Sequence, residues 1–157
     1  MDAAFGASIA HWPAFPDTAD ALRRLGQRYK LVILSNVNRA GFAASNAKLG
    51  VTFDAIYTAE DIGSYKPCLG NFEHMLERLK IDHGIAKRDI LHTAQSLYHD
   101  HVPAGDFGLA RAWIDRRGLS KGGAWGATAE VPERPEVDFL FPTLAAMADA
   151  VEAETRG

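Results

Sequence analysis

Four consecutive apolar residues, Leu31-Val32-Ile33-Leu34, stand between Lys30 and the polar pair Ser35-Asn36, and this run constrains the fold more than any other feature of the chain. A strand with one face in water alternates apolar and polar residues. A continuous run reads instead as a strand covered on both faces, as in parallel sheets flanked by helices. The surrounding pattern agrees. Asp17 and Thr18 offer N-cap chemistry ahead of a helix that carries Ala21, Leu22 and Leu25 on one face and closes at Tyr29. A second helix is expected from about Arg39 to Lys48, stopped at Gly50, and then a strand at Ala55-Ile56-Tyr57-Thr58.

After Lys66-Pro67, the spacing of Leu69, Phe72, Met75, Leu76 and Leu79 predicts an amphipathic helix with an exit loop from Lys80 to Arg88. Strands are expected at 89–94 and 110–115, with a short helix around 102–107 between them. Residues 116–136, rich in Gly, Pro and charge, read as a surface loop before a last strand at 137–141 and a closing helix at 143–154. Strands alternating with helices imply right-handed βαβ units. The expected fold is therefore α/β, with a Rossmann-like, mostly parallel sheet and helices on both faces.

Composition narrows the functional classes. The 157 residues are 47% hydrophobic, enough to build a single core, and no internal repeat or domain linker interrupts them. A net charge of −3 with dispersed Lys and Arg excludes the basic stripe that nucleic-acid backbones or acidic membranes require. Cys68 is the one cysteine and can form no internal disulfide, and no apolar run approaches the roughly 18 residues of a membrane span. Residues 1–10 lack the charged and apolar regions of a secretion signal. The expected setting is cytoplasmic, and the expected partner a small-molecule substrate.

In open parallel sheets the ligand crevice lies beyond the carboxyl ends of the strands, where loops and helix N-termini converge. That rule selects Ser35 and Asn36, Thr58, Gln95 and Ser96, and Asp115, with Lys66 able to swing into the same mouth. Taken singly, each has an ordinary explanation. Ser and Asn end strands as turn formers, a lysine before Pro67 is usually solvated, and Asp100 could be a charge favoured by a helix dipole. His92, His99 and His101 lie near Asp100, but they lack the i, i+4 spacing of a helical zinc pair, so no metal site is assigned to them. Gly118, Gly122, Gly123 and Gly126 are followed by no Lys-Ser/Thr, so they read as a flexible loop, and Cys68 reads as a small core residue.

Order and spacing change the weights. Leu31-Val32-Ile33-Leu34-Ser35-Asn36 resembles the second motif of haloacid-dehalogenase-like (HAD) hydrolases, a strand ending in Ser or Thr. Ser64-Tyr65-Lys66-Pro67 is similar to the third, whose lysine precedes a proline, and Leu91 to Asp100 matches the position of the fourth, acidic motif. The resemblance runs from about Phe15 to Ile114, and Ser35-Asn36 with the Gln95-Ser96…His99-Asp100 variant leans toward the 2-haloacid dehalogenase branch. In that family an aspartate at the end of the first strand attacks the substrate and forms an ester that water then hydrolyses. The resemblance implies that Lys66 keeps this nucleophile ionised, that Ser35 and Asn36 hold the substrate carboxylate or leaving group, and that Ser96 and Asp100 complete the catalytic set. Lys66, Asp100 and Ser96 are thus the catalytic candidates. Side chains 35, 66 and 100 are expected to gather at one rim.

Two departures from the family pattern shape the functional expectation. Gln95 stands where phosphatase members carry a second acid, and a neutral amide is a weaker ligand for a hard cation. Accordingly no metal site and no cofactor is assigned, Mg²⁺ stays open only for the phosphatase alternative, in which Asp100 would ligate it rather than orient Lys66 and water, and the reading tilts toward carbon–halogen bonds. The second departure is the nucleophile itself: no Asp-x-Asp-like segment follows an apolar strand ahead of residue 31, and whether the chain acts as an enzyme is left open. Residues 1–16 read as a cap or linker remnant and 17–157 as the HAD-like core, truncated so that its first central strand and most of its cap are missing. That vacancy spans about 10 Å between the strands at 31–34 and 90–94. It is expected to be filled by rearrangement, by residues 5–9, or by a second copy or another chain donating a strand. The expected function is a 2-haloacid dehalogenase-like hydrolase core, inactive alone; the alternatives are a non-catalytic HAD-like binding or interaction protein and a HAD-type phosphatase.

Overall fold

A computed structural model describes residue 8 and residues 11–156. Residues 1–7, 9 and 10, and with them most of the segment 5–9 expected to fill the sheet and part of the proposed cap remnant at 1–16, lie outside the described residues. The described chain falls into two compact units, one running to Ser64 and resuming at Leu144, the other spanning Tyr65–Thr143.

The first unit contains α1 (Thr18–Gly26), β1 (Val32–Ser35), α2 (Arg39–Leu49), β2 (Ala55–Thr58), the one-turn α3 (Ala59–Ile62) and α6 (Leu144–Glu154). β1 and β2 pair in parallel, with Ser35 opposite Thr58 at the carboxyl rim. β1 is only half-buried at each of its four residues, so the apolar run that reads as fully covered keeps partial exposure. α2 begins at Asn38, whose side chain accepts from Gly41 N, and ends where Gly50 adopts φ 60°, a left-handed conformation open to glycine without strain.

α1 buries Ala21 and Leu25, and α6 buries Leu144, Met147 and Ala148. The two helices pack together. Arg24 bridges them, with Nε 2.7 Å from Glu152 Oε1 and Nη2 2.5 Å from Asp149 Oδ1. Asp17 does not cap its own helix. Its backbone is already helical at ψ −17°, which turns the carboxylate away from the α1 amides, and Oδ2 accepts from Ala145 N in the first turn of α6 at 3.1 Å.

The second unit contains α4 (Leu69–His83), β3 (Leu91–Ala94), a π-helical turn (Leu97–His101), α5 (Val102–Asp106), β4 (Ala110–Ile114) and β5 (Phe139–Phe141). Its strands form a parallel sheet in the order β3-β4-β5, separate from the β1–β2 ladder. α4 runs past the expected exit at Lys80 to His83, where Gly84 at φ 66° caps it. Its stripe of Phe72, Met75 and Leu79 is buried, whereas Leu69, in the first turn, is exposed. Trp113, on β4, is 1% exposed and donates from Nε1 to Gln95 O at 3.1 Å, which ties the loop after β3 to the neighbouring strand. Strands and helices in this alternation, all paired in parallel, give the α/β class expected of the chain. Among the described residues no helix is long and apolar enough to cross a membrane.

Candidate functional site

The polar centre of the second unit is built by Ser96 and the five-residue π turn Leu97–His101 beyond β3. Ser96 opens the turn: its hydroxyl accepts from His99 N at 3.1 Å, and the wider i to i+5 spacing then brings His101 N to Ser96 O at 3.3 Å. This π turn adds a residue that an α-turn would not hold, a device found often where side chains must be re-aimed. Leu97, Asp100 and His101 turn inward and are buried, while Tyr98 stays exposed.

Asp100 meets Lys66 there. Lys66 Nζ lies 2.6 Å from Asp100 Oδ1, and each side chain retains only 10% of its exposure. His92 Nε2 lies 3.1 Å from the same oxygen. Burial alone drives the carboxyl of Asp100 toward its neutral form, but the His92 hydrogen bond and the Lys66 charge outweigh it and hold the group at about 2. Asp100 is therefore ionised at neutral pH and can only accept, so His92 Nε2 carries the proton and donates. The ring of Phe72 packs edge-on against His92, at 5.2 Å between centroids, and keeps water from that side.

A second buried imidazole backs this cluster. His101 is fully buried and its Nε2 donates to Ala94 O at 2.8 Å, while its Nδ1 has no hydrogen-bond partner among the described residues. Burial pushes its pKa down to about 4 against the pull of the Ala94 carbonyl. It is neutral at pH 7.

The sequence-derived candidates separate into groups. Lys66 and Asp100 are brought together, and Ser96 starts the turn that carries Asp100, its hydroxyl also 3.0 Å from His99 Nδ1. Ser35 and Asn36 belong to the first unit, at the carboxyl end of β1, where Ser35 Oγ accepts from Val37 N at 3.4 Å. Thr58 serves the backbone: it and Asp61 form a reciprocal capping box at the start of α3. Asp115 also holds a turn, its carboxylate accepting from Leu119 N, Ser120 N and Ser120 Oγ. Sequence reasoning placed His92 in a strand and gave it no part in the site. The available signal was its position: β3 residue His92 is followed by a five-residue turn that returns to it. Among the described residues no group of three His, Cys, Asp or Glu side chains converges as a metal site would need.

In this parallel α/β chain Lys66, ahead of α4, and Asp100, beyond the carboxyl end of β3, form a buried ion pair. A family model described as haloacid dehalogenase-like hydrolase matches residues 2–92, more than half of the chain, and the chain belongs to that family. Within it the chain resembles 2-haloacid dehalogenases. The (S)-2-haloacid dehalogenases of Pseudomonas putida and Pseudomonas fluorescens are each 29% identical to it over 110 residues, covering 68% of this chain and 46% of theirs. The chain thus spans about half the length of the curated relatives it matches. Among solved structures, the L-2-haloacid dehalogenase from Xanthobacter autotrophicus superposes with a TM-score of 0.75 at 22% identity, covering 98% of this chain and 68% of that one. A HAD phosphatase from Thermococcus onnurineus superposes with a TM-score of 0.69 at 22% identity, covering 96% and 66%. At these identities the shared property is the fold.

Proposed function

We propose that this chain supplies the lysine–aspartate half of a 2-haloacid dehalogenase-type site, with Lys66, Asp100 and Ser96 as catalytic groups and Ser35 and Asn36 as substrate-binding groups. The observation that carries the reading is the Lys66–Asp100 pair at 2.6 Å, buried and shared with His92. A buried ammonium fixed by a carboxylate is a stationary positive charge, suited to holding an approaching carboxylate nucleophile in its ionised form. Ionised Asp100 and the donor at His92 Nε2 keep that charge in one place.

In the proposed reaction a carboxylate attacks C2 of a 2-haloacid, the carbon–halogen bond breaks, and halide leaves with the bonding pair. Water then adds to the ester carbonyl, which regenerates the carboxylate and releases the 2-hydroxyacid and a proton. No aspartate in the 157 residues follows an apolar strand ahead of β1, so in this reading the nucleophile comes from another segment and these residues alone are inactive. The reading uses no metal. Both partners of Asp100 Oδ1 are nitrogen donors and Gln95 is an amide, a set that does not suit Mg²⁺, which takes oxygen ligands and favours carboxylates.

The test is halide release from 2-chloropropionate by the chain mixed with a family N-terminal segment that carries the Asp-x-Asp-like motif. Release that disappears in Lys66→Met while circular dichroism shows the variant still folded supports the reading. A folded complex that releases no halide overturns it, and phosphate release from a phosphomonoester in its place would mark the phosphatase alternative.

A further inference from the structure

His92 and Arg111 stand opposite each other across the β3–β4 ladder. Register partners on parallel strands carry their side chains on the same face of the sheet, and both of these reach the π turn beyond β3. They take hold of consecutive residues. His92 Nε2 donates to the carboxylate of Asp100, and Arg111 Nη1 donates to the carbonyl of His101 at 3.0 Å. Arg111 is itself held at its backbone, where N donates to Asp138 Oδ2 at 2.7 Å and the carbonyl accepts from Asp138 N at 3.0 Å.

The guanidinium has a cleared seat. A β-carbon at Gly105 would strike Arg111 Nη1, the same nitrogen that bonds His101 O. Gly105 lies within α5 and has no positive φ, so its backbone conformation does not call for glycine, and alanine is the better helix former. The arginine accounts for it. His101 then passes the restraint on: its N–H bonds Ser96 O, its Nε2 donates to Ala94 O, and its ring packs edge-on against His92 at 6.1 Å between centroids. Carbonyl, amide and ring of this one residue are all engaged, and Asp100 immediately precedes it.

We propose that Arg111 is a positioning residue for the Lys66–Asp100 pair: seated in the space that Gly105 leaves, it fixes the carbonyl end of the π turn and so the direction in which Asp100 faces Lys66. The proposal goes beyond the aspartyl-ester reading by naming what keeps the pair in place, and rests on that reading only for what the pair does to a substrate.

The experiment compares Arg111→Met, Gly105→Ala and the double variant of the full chain, with β3 and β4 amide shifts reporting retained folding. In each single variant the Asp100 carboxyl, followed by ¹³C NMR, should titrate about one pH unit higher, the usual weight of one hydrogen bond. Gly105→Ala keeps the arginine charge and favours the helix, so a rise there reports lost position rather than lost charge, and it decides alone should Arg111→Met fail to fold. Added to Arg111→Met, the alanine should change nothing further. With the N-terminal segment present, kcat for halide release should fall about tenfold in each single variant at unchanged KM. An unmoved Asp100 titration in folded Gly105→Ala, or a further rise when the alanine is added to Arg111→Met, would overturn the proposal. Absence of halide release from the unaltered chain with the segment would instead count against the dehalogenase reading, and the titrations would still decide this one.

Discussion

His92 Nε2 and Lys66 Nζ converge on a single oxygen of Asp100, at 3.1 and 2.6 Å, so that the other carboxylate oxygen makes neither of these bonds. The arrangement makes His92 a positioning residue for the ion pair. In His92→Phe, Asp100 loses the hydrogen bond that contributes most to holding its carboxyl low, and its titration, followed by ¹³C NMR of the carboxyl carbon, should move up toward the ordinary range. His92→Gln, which can still donate, should restore much of the depression. An unchanged Asp100 titration in the phenylalanine variant would refute the role.

Breaking the ion pair from one side should destabilise the fold strongly. Lys66→Met strands a buried carboxylate, and the expected loss is about 3–5 kcal/mol in urea unfolding. Asp100→Asn in the same chain removes the stranded charge, so the double variant should be clearly more stable than Lys66→Met alone. Equal stabilities of the single and double variants would mean that the pair is solvated in solution.

Acid should destabilise the protein in two stages. The His101 imidazole titrates at about 4 when folded and near 6.5 when unfolded, so the unfolded chain takes up the proton first. That stabilisation is full above about 6.5 and declines as pH falls toward 4, by about 3 kcal/mol. Asp100, at about 2 against an ordinary 3.8, adds a second decline of about 2 kcal/mol between those values. Urea midpoints measured from pH 8 to pH 3 should show the first stage vanish in His101→Gln and the onset of the second in Asp100→Asn.

Asp17→Ala should cost about 1 kcal/mol, the usual weight of a helix cap, although the helix that loses its partner begins 127 residues later, at Leu144. Hydrogen exchange at Ala145 is the direct readout. Faster exchange there with α1 unaffected is expected, and loss of α1 protection instead would show that Asp17 serves its own helix.

The sequence carried the α/β class through patterns that physical rules read directly. The left-handed glycine after Leu49 and the stripe through Phe72, Met75 and Leu79 appear as expected, and the apolar run at 31–34 forms a strand, though a half-buried one rather than one covered on both faces. The Lys66–Asp100 encounter was legible only through resemblance, because 34 positions separate the partners and neither has a local signature. His92 escaped for a different reason. A strand residue's role depends on what its neighbouring loop folds back to offer, and the π turn is a matter of hydrogen-bond spacing, to which composition is blind. Asp17 misled because a good capping residue will serve whichever amides its backbone lets it reach.

The Arg24–Glu152 and Asp17–Ala145 links tie the opening helix of the first unit to its final one, with all of Tyr65–Thr143 intervening. During synthesis the ribosome therefore delivers everything needed for the Lys66–Asp100 unit while α1 still waits for its partner. The order of assembly is written into the connectivity: the inner unit can close on the nascent chain, and the outer one must be completed after the last helix emerges.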